Sequence, residues 1–212
     1  MKGSEKVVGV VSRELAARVL EVVDAGLVKG LGSPQPGKLC VEAAVCYAMG
    51  LPHSDQPSCV LPALRALKIG LNDAAWSSDN VRAAGLRRLA IAQLGSDTLD
   101  AVVFAERVAM HSVRIVLPRA LRLAGLEPEA LKCEQAENPS AAARAAARAA
   151  YAADAAYAAA DAAHAAAYAA ARDSFLSWYV EEVVQILIAM DAPGCAYLDL
   201  APLPAAAAPA GQ

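Results

Sequence analysis

The chain has 212 residues, with 19 Lys or Arg against 22 Asp or Glu and a formal net charge of −3 at pH 7. This length predicts one domain, or one domain with an appendage. The acidic balance excludes a general nucleic-acid coat, which needs a basic surplus. Five cysteines are too few, and odd in number, for a disulfide scaffold. The hydrophobic fraction of 57% excludes a disordered acidic tail, although aromatic residues contribute only 5% and alanine much of the rest.

No stretch of the sequence predicts export or membrane insertion. The N-terminal apolar run at 7–11 is too short for the core of a signal peptide. No window reaches ~18 apolar residues without a charge. We therefore expect a cytoplasmic protein without a membrane partner, whose cysteines are thiols and mostly buried.

Hydrophobic spacing, together with glycine and proline positions, predicts a series of helices. In chain order these are 12–27, 38–49, 59–69, 78 or 79 to 94, 97 or 98 to 117, a short helix to 123 after a bend or break at Pro118, and one or two turns in 128–137. Residues 30–37 and 51–58 are predicted loops, and 72–78 is predicted to be irregular. No strand–helix alternation and no repeat is present, so the sequence predicts an all-α helical bundle.

The longest predicted element is rich in alanine, which accounts for 23 of the 32 residues in 141–172. Alanine is the best helix former, so we expect one very long helix near the C-terminus, capped by Ser140 and about 48 Å long. It is predicted to run into a buried helix at 175–190, which is followed by a short extended segment at 195–200. The domains predicted from composition are an N-terminal helical domain at 1–137, the long helix at 138–200 and a flexible Pro/Ala tail at 201–212.

The residues that interrupt the alanines recur every three or four positions and form one stripe along the helix. They are Arg144, Arg148, Tyr151, Asp154, Tyr157, Asp161, His164, Tyr168 and Arg172. In one interpretation this polar stripe is a solvated face, and the alanine faces pack on this protein or on a second copy. In the other it lines a groove or an oligomer interior, because these residue types stack on bases and bind phosphates. Arginine in place of lysine favours bidentate anion recognition.

Two further features combine polar and apolar residues. The segment 72–78 contains Asn72, Asp73 and Trp76 in a predicted interhelical loop, where they either bind a ligand or cap helices around a core indole. Glu42 lies in an otherwise apolar helix and needs a cationic partner, in a structural pair or at a ligand. The nearby cations are Arg65, Lys68, Arg82, Arg87 and Arg88.

The motifs associated with catalysis or metal binding are incomplete. Residues 32–38 match the start of a phosphate-binding P-loop, but Leu39 replaces the magnesium-binding Ser or Thr, and two prolines remove backbone donors. The spacing of Cys40, Cys46, His53 and Cys59 does not match the paired cysteines of zinc sites. Glu42, one turn from Cys46, would raise the pKa of that thiol. We therefore predict no catalytic residue, no metal and no cofactor.

Three segments together carry a resemblance. GKLCVEAAVCYAMGLPHSDQPSCVLPALRALKIGLNDAAWSS at 37–78 and GLRRLAIAQLGSD at 85–97 are followed by the Ala-rich stretch and by ILIAMDAPGCAYLDL at 186–200. This arrangement resembles a group of uncharacterised proteins encoded by bacteria and their phages. The resemblance implies no reaction and no functional residue. Occurrence in phages would favour a role in host interaction, such as blocking or sequestering a defence signal.

The sequence thus predicts a non-enzymatic binding protein: a helical homo-oligomer that sequesters a small anionic, nucleotide-like ligand and does not bind nucleic acid. The arginines of the stripe are expected to bind phosphates, the tyrosines to stack and the aspartates to accept hydrogen bonds from hydroxyls. His164, Asn72, Asp73 and Trp76 are predicted to complete the pocket. The alternative is a structural or interaction protein whose Ala-rich helix mediates assembly without a small ligand.

Overall fold

A computed structural model describes residues 11–123, 125–138, 141 and 165–203, with backbone only at 123 and 165–170. Within these ranges eight α-helices are present, and the β-structure is limited to isolated bridges from Leu39 to Leu27 and Gly32. This confirms the all-α class. The helices are α1 (Arg13–Asp24), α2 (Val41–Ala48), α3 (Pro62–Asp73), α4 (Asp79–Ala92), α5 (Ala101–His111), α6 (Leu117–Leu123), α7 (Glu127–Glu134) and α8 (Ala165–Ile188).

The structure describes only part of the stretch in which a very long helix is predicted. The longest described helix is α8, with 24 residues, and it covers the end of the Ala-rich stretch and most of the predicted helix at 175–190. Residues 142–164, the larger part of the predicted helix, lie outside the described residues.

Helix ends follow the capping residues of the sequence. The hydroxyls of Ser12 and Ser78 each accept a hydrogen bond from the amide three residues later, at the starts of α1 and α4. Gly95 has a φ of 75°, a left-handed conformation that ends the turn after α4. Helix α3 differs from the prediction, because it continues through Asn72 and Asp73, which were expected in an irregular segment.

The predicted break at Pro118 is a widened helical turn. Proline has no backbone N–H, and its ring would collide with the carbonyl four residues earlier, that of Arg114. The chain accommodates Pro118 with a π-helical turn over Ser112–Val116, in which the Leu117 amide donates to the Ser112 carbonyl five residues before it. The helical path therefore continues from α5 into α6.

The backbone contacts divide the chain into two compact units. Unit 1 comprises Met1–Ala101 with Ala169–Gln212, and unit 2 comprises Val102–Tyr168. In unit 1, α1 packs on α2 and α4, and α2 packs on α3 and α4. In unit 2, α6 packs on α7 around a small core of Leu121, Ala130 and Cys133, bordered by Val113, Leu117 and Leu126. The division at 137 and 200 was predicted from composition and stays a prediction.

The segment after α8 is helical rather than extended, which corrects the prediction for 195–200. Residues Pro193–Leu200 form 3₁₀ turns that pack against α4. The Gly194 amide donates to the Leu94 carbonyl at 2.8 Å. This close approach requires glycine, since a side chain at Gly194 would place its Cβ 2.1 Å from the Ile91 carbonyl oxygen.

None of the described helices combines the length and the hydropathy needed to cross a bilayer.

Gly194→Ala is expected to destabilise the protein by about 1–3 kcal/mol, because backbone atoms of α4 have to move to admit the new methyl group. Gly70→Ala is the matched control. Gly70 lies inside α3, and a Cβ added there would have open space around it, so alanine should stabilise by about 0.5–1 kcal/mol. Urea midpoints measure both changes. Equal shifts for the two variants would contradict the packing described at Gly194.

Candidate functional site

Most residues of the predicted polar stripe cannot be placed. Arg144, Arg148, Tyr151, Asp154, Tyr157, Asp161 and His164 lie outside the described residues. Tyr168 lies in α8, where only its backbone is described. Arg172, the last member of the stripe, is described in full and is half-buried.

The part of α8 next to Arg172 is fixed to the loop before α4 and to α4 itself. The Asp173 carboxylate accepts a hydrogen bond from the Ser77 amide at 3.0 Å. Two turns later, Glu181 forms a two-bond ion pair with Arg88, with distances of 2.8 and 3.3 Å. These two side chains are only 21% and 15% exposed. Shielding from water and bidentate geometry make this pair a stronger tether than an exposed one.

Arg172 has an unmatched donor. Its Nε is shielded from solvent, and no acceptor hydrogen-bonds to it in the described part of the chain. A buried donor without a partner costs about 1–3 kcal/mol, and more when the group is charged. An anion at this position would remove that cost, because a guanidinium forms charge-assisted hydrogen bonds with carboxylates and phosphates.

Trp76 is a core residue. It is 7% exposed, and its indole N–H donates to the Leu71 carbonyl at 2.9 Å. The ring lies against α4 at Gly85, where a Cβ would be 2.4 Å from the nearest ring atom and 3.2 Å from the Ser177 hydroxyl of α8. The missing side chain at Gly85 thus gives room for the indole between α4 and α8.

Asn72 and Asp73 hold the loop between α1 and α2. The Asn72 side chain accepts from the Val41 amide at 3.2 Å and donates to the Val28 carbonyl at 2.9 Å. The Asp73 carboxylate accepts from the Gly30 amide at 2.8 Å. The three predicted pocket residues in 72–78 therefore all contact the chain's own backbone, and their role in ligand binding stays a prediction.

Arg82 completes this network from α4. Its guanidinium donates to the Asn72 carbonyl at 2.8 Å and to the Leu27 carbonyl at 3.0 Å, and it forms an ion pair with Asp79. The side chain is buried, so these three acceptors replace the water that it loses. Arg82 was predicted only as a candidate partner for Glu42, and its contacts with the loop were not predicted, because the sequence holds no local signal for them.

The backbone amides of the glycine- and proline-rich loop point to acceptors of their own chain. Ser33 donates to the Lys38 carbonyl at 2.7 Å, and Lys38 donates to the Gln35 carbonyl at 3.0 Å. The Gly30 amide is already bound to Asp73. A P-loop needs free amides of this kind to bind phosphate. The observed hydrogen bonds therefore argue against a P-loop here, as does the incomplete motif in the sequence.

Glu42 pairs with Lys68, one of its five predicted candidate partners. Lys68 Nζ lies 2.8 Å from Glu42 Oε1, and the two side chains are 0% and 1% exposed. Apart from this ion pair, neither charged group has a hydrogen-bond partner among the described residues. Burial raises the pKa of Glu42 and lowers the pKa of Lys68, while the attraction between the charges opposes both shifts.

The thiols are buried and weakly acidic. All five cysteines are free, and only Cys195 is more than slightly exposed. Burial raises the pKa of Cys46 to about 11, with the Glu42 charge as the second cause, and raises that of Cys195 to about 11. Burial also raises the pKa of Cys59, although it lies close before α3. Among the described residues, no group of three or more His, Cys, Asp or Glu is placed to hold a metal ion.

Removing one member of the buried ion pair is expected to cost about 3–5 kcal/mol, because the other charge stays buried without a partner. Glu42→Met and Lys68→Met test this by urea unfolding. The double variant should recover most of the loss, since two apolar side chains need no desolvated charge. Arg13→Ala breaks an exposed pair with Asp199 and should barely shift the urea midpoint, because water screens that pair. Additive losses in the double variant would refute the coupling.

The native thiols should react slowly with a disulfide reagent at about pH 8, because burial raises the pKa of each. For Cys46 and Cys195, a pKa of about 11 leaves roughly two-hundred-fold less thiolate than in a free cysteine. The absorbance of released thionitrobenzoate gives the rate. In guanidinium all five thiols should react at once. Cys195→Ser removes the most accessible thiol and should abolish the faster part of the native reaction. Rapid reaction of a buried thiol would contradict these ionisation states.

Comparison with known proteins identifies no relative: no family model, no curated protein and no solved structure matches this chain. The resemblance to bacterial and phage proteins therefore stays a prediction.

Proposed function

We propose that this protein is a non-enzymatic binding protein that holds a small anionic, nucleotide-like ligand on the polar stripe of a very long Ala-rich helix. The observation that carries the proposal is the unmatched Nε of Arg172. The ligand would supply the acceptor that the described part of the chain does not. In this proposal the chain forms a homo-oligomer. It would act as a phage protein that sequesters a defence signal of the host.

The stripe extends from Arg172 toward the N-terminus of the helix. Its residues recur every three or four positions, so in a continuous helix they would share one face with Arg172. The helix is fixed just beyond that end by Asp173 and Glu181. A helix that is anchored at one end binds a ligand better than a free helix, because it loses less conformational entropy on binding.

The residue types of the stripe support a nucleotide-like ligand. Its three arginines match phosphate oxygens, its three tyrosines offer faces for stacking, and its two aspartates accept from hydroxyls. The buried thiols and the buried Glu42–Lys68 ion pair favour binding over catalysis. The thiols have raised pKa values, and the ion pair is shielded from solvent and so from a substrate.

The second candidate is an interaction protein that assembles through the alanine faces without a small ligand. It is favoured by the composition of 141–172, where 23 of the 32 residues are alanine. Small side chains permit close packing of helices. Ala159→Leu with Ala163→Leu would abolish an assembly of this kind by overpacking, whereas changes in the polar stripe would have little effect.

Native mass spectrometry of protein purified from cells tests the first proposal. It should show an oligomer with a stoichiometric nucleotide-like mass. Arg172→Ala should reduce affinity for the released compound at least about tenfold, as loss of a charged hydrogen bond predicts. Arg172→Lys should restore little, because lysine does not reproduce the planar guanidinium. Arg144→Ala with Arg148→Ala should weaken binding further.

Arg114→Ala is the charge-matched control, because Arg114 is an exposed arginine outside the stripe. It should leave affinity unchanged. A clean oligomer without an adduct, or equal affinities for Arg172→Ala and wild type, would overturn the ligand proposal in favour of assembly.

A further inference from the structure

Three large apolar side chains of unit 1 are exposed on two chain segments that a hydrogen bond joins. Leu31, Tyr47 and Leu51 are 42%, 45% and 39% exposed. The His53 ring lies 3.2 Å from the Gly32 carbonyl, which joins the loop carrying Leu31 to the segment carrying Leu51. Tyr47 is one turn before Leu51. We call these three residues the apolar patch. Clustered apolar residues at a surface are typical of interaction sites, whereas single ones are not.

The loop under the patch is held rigidly by buried groups. Asn72 and Arg82 are buried side chains that bind its backbone at both ends, at Leu27, Val28 and Val41. Such bonds fix the loop before any partner arrives. A surface that is already ordered loses less conformational entropy on binding. The structure thus places Leu31 at a constrained position on an exposed loop.

Cations border the apolar patch. Arg18 is exposed and its guanidinium donates to the Ala48 carbonyl, next to Tyr47. Lys29 and Lys38 are exposed at the two ends of the loop, and neither forms an ion pair within the described ranges.

The acidic groups nearby are mostly engaged. The Asp73 carboxylate binds the Gly30 amide, and Asp55 pairs with Arg65 at 2.8 Å. Glu14 and Glu21 are exposed about one turn before and after Arg18 and offset its charge. The unpaired positive charge beside the apolar patch is therefore that of Lys29 and Lys38.

We propose that the apolar patch docks an acidic segment of a partner protein that carries bulky apolar side chains. The apolar side chains of the partner would cover Leu31, Tyr47 and Leu51, and its carboxylates would face Lys29 and Lys38. Apolar contact supplies affinity, while charge complementarity selects the partner and speeds its association. This site is separate from the polar stripe and does not depend on it.

A labelled peptide of about 16 residues tests the docking, with Leu or Phe at every third or fourth position and Glu or Asp elsewhere. A second peptide has Lys in place of the acids. Fluorescence anisotropy with the full chain should show at least tenfold tighter binding of the acidic peptide at about 50 mM salt. The difference in affinity between the two peptides should become smaller at about 500 mM salt, where the charges are screened.

Two pairs of substitutions locate the site. Leu31→Ser with Leu51→Ser should weaken binding of the acidic peptide at least tenfold at both salt concentrations. Lys29→Glu with Lys38→Glu should weaken it mainly at low salt. Ile188→Ser with Leu203→Ser is the apolar control, because those side chains are 39% and 42% exposed elsewhere in unit 1. Arg114→Glu with Lys132→Glu is the charge control.

Several outcomes would overturn the proposal: no binding of the acidic peptide at millimolar concentration, equal binding of both peptides, or equal loss in the control variants. Self-association that Leu31→Ser with Leu51→Ser abolishes would assign the patch to a second copy of the chain instead. Since these variants do not touch Arg172, ligand retention by native mass spectrometry separates a failure here from a failure of the stripe.

Discussion

The buried contact between Lys68 and Glu42 constrains how α2 and α3 pack. A lysine that is fully removed from water needs a counter-charge, and Glu42 at 2.8 Å supplies it. Four residues later on the same face of α3, the Asn72 side chain binds the first amide of α2. Helix α3 therefore holds the first turn of α2 by two contacts, the ion pair at Glu42 and the hydrogen bond at Val41. Both contacts are directional, so a shift of α2 along α3 would break them.

The same polar face supports the exposed loop. Asn72 also binds the Val28 carbonyl, and Arg82 reaches the Leu27 carbonyl from α4. The loop tip at 30–37 is dominated by glycine and proline. The loop is closed at its base by the buried Leu27 and Leu39 and by the hydrogen bond from the Val28 amide to the Leu39 carbonyl, and Asn72 and Arg82 bind it from below. This arrangement couples the ion pair, the loop and the apolar patch within a single packed unit.

Local signals predicted the local features of this fold. Ser12, Ser78 and Gly95 stand where the helices begin or end, because capping depends on a few adjacent residues. The sequence also showed that Glu42 needs a cation, but five cations were near enough in sequence. Only tertiary packing selects Lys68, and lysine is rarely buried. The contacts of Asn72 and Arg82 with the loop were not predicted for the same reason, because they join residues more than 30 positions apart. At Pro118 the sequence shows the steric conflict, but a broken helix would resolve that conflict as well as the observed π-turn does.

Two arginines, one in α4 and one in α8, show why an unmatched donor carries weight. Arg82 is buried, and its guanidinium meets two carbonyls and the Asp79 carboxylate. Arg172 is half-buried, and its shielded Nε meets no acceptor among the described residues. The Gln93 amide oxygen also has no partner there, but a neutral amide costs less to desolvate than a charged guanidinium. In the proposed function an anion supplies the acceptor that this Nε lacks, which would lower the cost of holding the guanidinium half-buried.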